Sequence, residues 1–150
     1  MEQLNFFQDQ ILIGSLLGDG SLARFVNTSY REQHTTKQTE YLLWKFQQLK
    51  NKLKFNIYNS TSKLKVTNKI YYQIHIQSRV TPILNHYHQL FYPNGKKEIS
   101  QQILDKVCIP ALIVWYCDDG SYDYQPSHSR ITLNTHCFGE GGNRLIKDWF

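Results

Sequence analysis

The sequence predicts an α+β fold, arranged as αββαββα and followed by an incomplete second copy of the same unit. Three observations predict it. Apolar residues switch between a helical period and a strand period in that order, turn-forming residues separate the segments, and a ten-residue stretch near the N-terminus recurs 100 positions later.

The first helix is read from Leu4, Phe7, Ile11, Leu12, Gly14, Ser15 and Leu17, a helical series that stops at Gly18-Asp19-Gly20. Residues 21–26 and 30–35 are extended and flank the turn-prone Asn27-Thr28-Ser29, which gives a first hairpin. Thr36 is placed as the N-cap of a second helix, down which Leu42, Phe46, Leu49 and Leu53 form one face. A second hairpin follows: residues 63–67 alternate polar and apolar, Asn68-Lys69 turns the chain, and residues 73–77 alternate again. Leu64, Val66, Ile74 and Ile76 then face the helices, and Lys63, Lys65, Gln73, His75 and Gln77 line the opposite face. Thr81-Pro82 caps a third helix carrying Ile83, Leu84, Tyr87 and Leu90, which stops at Pro93-Asn94-Gly95.

Residues 1–95 thus make a first repeat and 96–109 a polar connector. Pro110 opens another apolar helix over 111–117, ending in Asp118-Asp119-Gly120-Ser121. Extended segments at 121–124 and 130–135 and a short helix from Glu140 complete a partial second repeat, 110–150, which lacks the last hairpin and helix of the first.

Composition narrows the function. A chain of 150 residues, 41% hydrophobic, suits one globular unit with a real core. Its apolar run at 11–17 is too short to span a bilayer and follows no basic region, so a soluble chain without a membrane partner is expected. Cys108, Cys117 and Cys137 are odd in number and lack CxxC spacing, which argues against a disulfide framework or structural zinc and for a reducing compartment. The net charge is +5, and its distribution is more telling: residues 41–97 contain no Asp or Glu but ten Lys or Arg, interleaved with aromatic residues. That is the footprint of a nucleic-acid surface, with a solvated basic face as the plainer reading.

Leu12-Ile-Gly-Ser-Leu-Leu-Gly-Asp-Gly-Ser21 aligns without gaps on Leu112-Ile-Val-Trp-Tyr-Cys-Asp-Asp-Gly-Ser121, which sets Asp19 over Asp119. A carboxylate at the C-terminal end of an apolar helix meets the negative pole of the helix dipole, so a positive group is expected nearby. Gly14, Ser15 and Gly18 remove bulk, so that two such helices can cross closely and bring Asp19 beside Asp119. Two carboxylates with adjacent backbone carbonyls, those of Gly18 and Asp118, make an all-oxygen site for a hard divalent ion such as Mg²⁺. Such ions serve phosphodiester hydrolysis, in which Lys97 would polarise the water or neutralise the phosphate. Taken alone, each Gly-Asp-Gly or Asp-Asp-Gly-Ser is an ordinary turn; it is their recurrence in one context that singles them out. A calcium loop from Asp119 fails, because Tyr124 stands where glycine is needed and Arg130 where the terminal acid belongs. His34, His75, His88, His128 and His136 show no metal-ligand spacing and default to surface or core roles.

Residues 12–22 and 111–122 resemble the paired signature helices of the two-motif, intron-encoded LAGLIDADG homing endonucleases. Tyr41-Leu-Leu-Trp-Lys45, Phe91-Tyr92 with Gly95-Lys-Lys97, and Leu133-Asn-Thr135 with Phe138 are similar to further landmarks of that family. The resemblance implies a pseudo-twofold saddle of strands over double-stranded DNA, with each motif aspartate binding metal at one scissile phosphate. It also implies a monomer. On such a saddle, Arg24, Arg31 and Gln33 of the first hairpin, with Lys63, Lys65, Gln73, His75 and Gln77 of the second, are the expected DNA-binding side chains.

Three departures from the family pattern stand out. The chain stops at Phe150, before two strands, a helix and a second basic residue, which suggests C-terminal truncation: a decayed or frameshifted intron product, or one fragment of a split enzyme with a complementing fragment or dimer partner. Ile113 occupies the place of a small residue at the helix crossing, where its volume would spread the helices. Gly139, Gly141 and Gly142 weaken the start of the last helix. The alternative readings are an intron maturase that binds intron RNA and an inactive DNA-binding remnant. The family and the Asn-, Lys-, Ile- and Tyr-rich composition point to a chloroplast or mitochondrial intron, with a prokaryotic or phage source as the alternative.

Overall fold

The computed structural model describes residues 3–66, 68–125 and 127–150. Helix α1 (Phe6–Leu17) begins at Asn5 with a reciprocal cap: the Asn5 side chain accepts the Gln8 N–H, and the Gln8 side chain accepts the Asn5 N–H. Residues 11–17 are all buried, so this helix has no solvent face along its second half and runs through the centre of the molecule.

Strands β1 (Ser21–Arg24) and β2 (Thr28–Thr35) follow, then a 3₁₀ turn (Thr36–Gln38) and helix α2 (Thr39–Leu49). Strands β3 (Phe55–Lys63) and β4 (Ile70–Ser78) complete an antiparallel sheet of order β1-β2-β4-β3. Its inner face carries Leu22, Tyr30, Ile74 and Ile76, all buried. Helix α2 packs on β2 and β4, and helix α3 (Asn85–Phe91) packs on β1.

A short helix α4 (Gln101–Leu104) leads to helix α5 (Ile109–Asp119), which lies along α1. Strands β5 (Gly120–Gln125) and β6 (His128–Leu133) form a separate two-stranded sheet, followed by a 3₁₀ turn (His136–Phe138) and helix α6 (Gly139–Trp149). The 3₁₀ turn at His136–Phe138 and α6 each start and end 100 positions after the 3₁₀ turn at Thr36–Gln38 and α2, so the repeat seen in the motif extends through the following elements. No helix among the described residues is long and apolar enough to cross a membrane.

Several expectations need correcting. The first hairpin turns one to two residues early, at Phe25 and Val26, which are exposed. Thr36 opens the 3₁₀ turn instead of capping an α-helix, and α2 has no side-chain N-cap. The second hairpin is larger than expected and differently placed. Residues 55–63, not 63–67, pair with β4. Leu64 and Val66 lie in the connecting loop and are 48% and 92% exposed, so they do not pack on helices; Thr67 lies outside the described residues. The loop closes with the Leu64 N–H donating to the Lys69 carbonyl at 3.0 Å, and Asn68 takes a left-handed conformation. Phe55 anchors this register, with its ring edge-on to both Tyr30 and Phe46. The connector is not wholly polar either, since α4 buries Ile103 and Leu104.

Candidate functional site

Helices α1 and α5 cross at Gly14 and Gly18. A Cβ on Gly14 would overlap the Ala111 carbonyl oxygen and come within 2.8 Å of Val114 Cβ, and one on Gly18 would fall 2.5 Å from Asp118 Cβ. Both glycines are therefore required by the closeness of the partner helix. Ser15 is fully buried, and its carbonyl accepts the Gly20 N–H at 2.7 Å. Ile113 is 56% exposed and is not at the crossing, so its size does not spread the helices; Ala111 and Val114 meet α1 instead.

The crossing brings Asp19, Asp118, Asp119 and Lys97 into one electrostatic neighbourhood. Lys97 Nζ donates to the carbonyls of Gly18 at 3.0 Å and Gly20 at 2.8 Å, supplying the positive group that the end of α1 calls for. Burial pulls its pKa down, against the charges of Asp119, Asp19 and Asp118, which push it up. Both motif carboxyls sit above their ordinary pKa. For Asp19 the main cause is burial, partly offset by His34; for Asp119 it is burial followed by the charge of Asp19.

Gly18 and Asp118, whose backbone oxygens are expected beside a cation, also take part in side-chain contacts. The Gly18 carbonyl accepts from Lys97. Asp118 accepts from Lys45 Nζ at 2.7 and 2.8 Å, from the Tyr41 hydroxyl at 2.9 Å, and from the Asp19 N–H at 3.4 Å. Lys45, fully buried, also donates to Glu32 at 2.5 Å. Glu32 in turn receives the Tyr30 hydroxyl and lies 2.7 Å from His34 Nε2. One lysine thus serves two buried carboxylates. Burial wins at Asp118, whose carboxyl is pushed up to about 6, whereas at Glu32 the hydrogen bonds from His34 and Lys45 outweigh burial and hold it low. For His34, burial disfavours the charged ring, but the hydrogen bond and charge of Glu32 prevail and raise its pKa.

His34 is the neighbour of Asp19 that spacing missed. Its Nδ1 lies 3.6 Å from Asp19 Oδ2, and one ligand atom each from Asp19, His34 and Asp118 lie within 4.8 Å of one another. The signal was present in the sequence: β2 buries Tyr30, Glu32 and His34 in alternation, and α2 turns Leu42, Lys45 and Leu49 inward. Polar and charged groups at such positions demand partners.

The outer sheet face carries part of the expected DNA-binding set. Cross-strand neighbours run Arg31, Gln77, Asn56, then Gln33, His75, Tyr58, then Thr35, Gln73, Ser60. Of these, Thr35, Asn56, Tyr58 and Ser60 lie outside the expected set, the last three because β3 begins at Phe55 and not at Lys63. Tyr58 stacks on His75 at 4.7 Å, and Ser60 Oγ holds His75 Nε2 at 2.7 Å. Lys63 has the opposite strand parity and shares the side of Phe55 and Ile57, and Lys65 lies in the loop. Arg24, exposed at the end of β1, has the parity of Leu22 and acts electrostatically on His88 of α3. A cavity of about 390 Å³ joins this face to the helix crossing; Asp19, Ser21, Arg31, Gln33, Tyr58 and His75 are among its walls.

Residues 9–150 match the model of the LAGLIDADG DNA endonuclease family. A RecA protein of Mycolicibacterium flavescens is 34% identical over 156 residues, which cover 95% of this chain and 34% of that protein; the chain thus spans about a third of such relatives. DNA endonuclease I-ChuI of Chlamydomonas applanata is 25% identical over 151 residues, covering 93% of this chain and 69% of the relative. The solved structure of the homing endonuclease I-WcaI bound to its DNA recognition sequence superposes with a TM-score of 0.87 at 16% identity, over 99% of this chain and 68% of the other, and so the α+β fold is shared.

Proposed function

The chain belongs to the LAGLIDADG DNA endonuclease family, and from that premise we propose that it is a site-specific endonuclease of double-stranded DNA that uses divalent cations at Asp19 and Asp119. The observation that carries this reading is the close crossing of α1 and α5, which brings two helix-end carboxylates and Lys97 within electrostatic reach of one another, with Asp19 lining the cavity that leads to the polar sheet face. We read residues 1–95 and 110–150 as a first and a partial second repeat joined by 96–109.

The donors suit a hard cation. Asp19 and Asp119 offer oxygen, both have raised pKa values through partial burial, and each feels another nearby acid, so a cation there relieves a charge conflict. When bound, Mg²⁺ or a similar ion activates water and stabilises the departing oxygen. Lys97, fixed on two carbonyls, adds positive charge where a phosphate would enter. Arg31, Gln33, Gln73, His75 and Gln77 offer donors and acceptors to base edges, and Arg24, Lys63 and Lys65, off the open face, suit phosphate contacts. The algal relative and the composition support an organelle intron as the source.

The test is nicking and cleavage of a randomised-site duplex library with Mg²⁺ by the wild type, Asp19→Asn and Asp119→Asn. A defined site cut only by the wild type, with DNA binding retained in both variants, is expected. A folded wild type that leaves all DNA intact and binds intron RNA overturns the reading in favour of a maturase.

A further inference from the structure

The two motif aspartates have different neighbours. At Asp19, the His34 ring is locked between acceptors: Nε2 lies 2.7 Å from Glu32, and Nδ1 faces Gln38 Oε1 at 3.2 Å and Asp19 Oδ2 at 3.6 Å. Glu32 is itself held by Lys45 and Tyr30, so the imidazole cannot turn away without breaking a buried network. It is 4% exposed and has one orientation to offer.

One repeat later the corresponding residues are Thr132, Asn134 and Leu145, in place of Glu32, His34 and Lys45. Asn134 takes a different role at Asp119. Its side-chain amide donates to the Asp119 backbone carbonyl at 2.8 Å, and its own N–H donates to the same oxygen at 3.0 Å. It therefore fixes the end of α5, whereas His34 addresses the carboxylate of Asp19 itself. His136 acts on the charge of Asp119, whereas Lys97 acts on both motif carboxylates.

We propose that His34 is a positioning residue for the Asp19 carboxylate alone, so that the two DNA strands are cut by chemically unequal centres at unequal rates. The strand-rate part rests on the endonuclease reading above. A carboxylate aimed by an imidazole, which is aimed in turn by a second carboxylate, is the arrangement by which outer partners orient metal-binding groups. Here it is built on one side of the pseudo-twofold and replaced by a backbone clamp on the other.

The test uses the whole chain and the variant His34→Asn, which copies the second repeat, with His34→Gln as the conservative variant and thermal melting as the check on folding. On a duplex carrying the site selected from the library, labelled on each strand in turn, His34→Asn should slow one strand by about 10–100-fold and leave the other unchanged, accumulating nicked product. Asn134→Ala should slow the opposite strand. Titration with Mn²⁺ alone, followed by electron paramagnetic resonance, should show one class of site weakened in His34→Asn, lost in Asp19→Asn and partly restored in His34→Gln. Equal slowing of both strands, or unchanged Mn²⁺ affinity in a folded His34→Asn variant, overturns the proposal. A wild type that cuts no DNA removes the endonuclease reading, and the Mn²⁺ titration then decides the part played by His34.

Discussion

Gly18 packs directly on Asp118, the residue that holds its own place one repeat later, and Gly14 does the same with Val114. Contacts between equivalent residues are what a twofold-like axis between two similar units produces. At this axis the symmetry is steric and not chemical: the missing side chain at Gly18 makes room for the Asp118 carboxylate, which reaches into the first repeat to Lys45 and Tyr41. Gly18→Ala should therefore separate the helices and misplace both motif aspartates, costing about 1–3 kcal/mol in urea denaturation, as overpacking does. Ile113→Ala, by contrast, should change stability by about 0.5 kcal/mol or less, because Ile113 faces solvent.

Lys45 neutralises two buried acids at once, so its removal should be among the costliest changes in the chain. Lys45→Met leaves Asp118 buried without its cation and Glu32 with His34 alone, and a loss of about 3–5 kcal/mol is expected from breaking such a pair at one end. The triple variant Lys45→Met, Glu32→Gln, Asp118→Asn should recover a large part of that loss. Denaturant midpoints of the three proteins check both statements.

The motif helices were readable in the sequence because they are apolar nearly throughout and recur in register. The network beneath them was not, because its members are scattered: Lys45 and Asp118 are 73 positions apart, and no local window around Lys45 shows its acid. Strand β3 was missed for a different reason. Asn59-Ser60-Thr61-Ser62 has little strand character of its own, and its conformation follows from pairing with β4 and from Phe55 seating between Tyr30 and Phe46. The alternating Leu64 and Val66 competed successfully as a pattern, although the chain uses them in a turn.

The pH dependence of stability should reveal the charge conflict at Asp118. Burial, partly offset by Lys45, pushes this carboxyl from an ordinary 3.8 to about 6, so between those values the folded chain holds a proton that the unfolded chain releases. Its contribution to stability therefore declines as pH rises through that window. Glu32 has the opposite sign: its pKa is lowered in the fold, and its contribution, present above its ordinary 4.5, is lost as pH falls through the folded value. Measured in EDTA by urea unfolding, the wild type should lose stability relative to Asp118→Asn on going from about pH 4 to pH 6. A constant difference across that range rules the conflict out.

Base selectivity and general affinity should separate between the open sheet face and its surroundings. Tyr58 lies stacked on His75, next to Gln33, on the face that borders the Asp19 cavity, and Ser60 pins the imidazole from behind. A side chain held that rigidly loses little freedom on binding, so the pair is well suited to discriminating one base step. Tyr58→Ala should relax selectivity at one or two adjacent positions by about 1–3 kcal/mol and leave the salt dependence of binding alone. Lys65 sits in the loop, off the face, and is exposed. Lys65→Ala should weaken binding to every sequence alike and reduce the slope of log K against log salt by about 1. Selection from a randomised duplex pool, read at two salt concentrations for each variant, distinguishes the two behaviours. A uniform affinity loss in Tyr58→Ala, or altered base choice in Lys65→Ala, means that the two residues do not divide the work in this way.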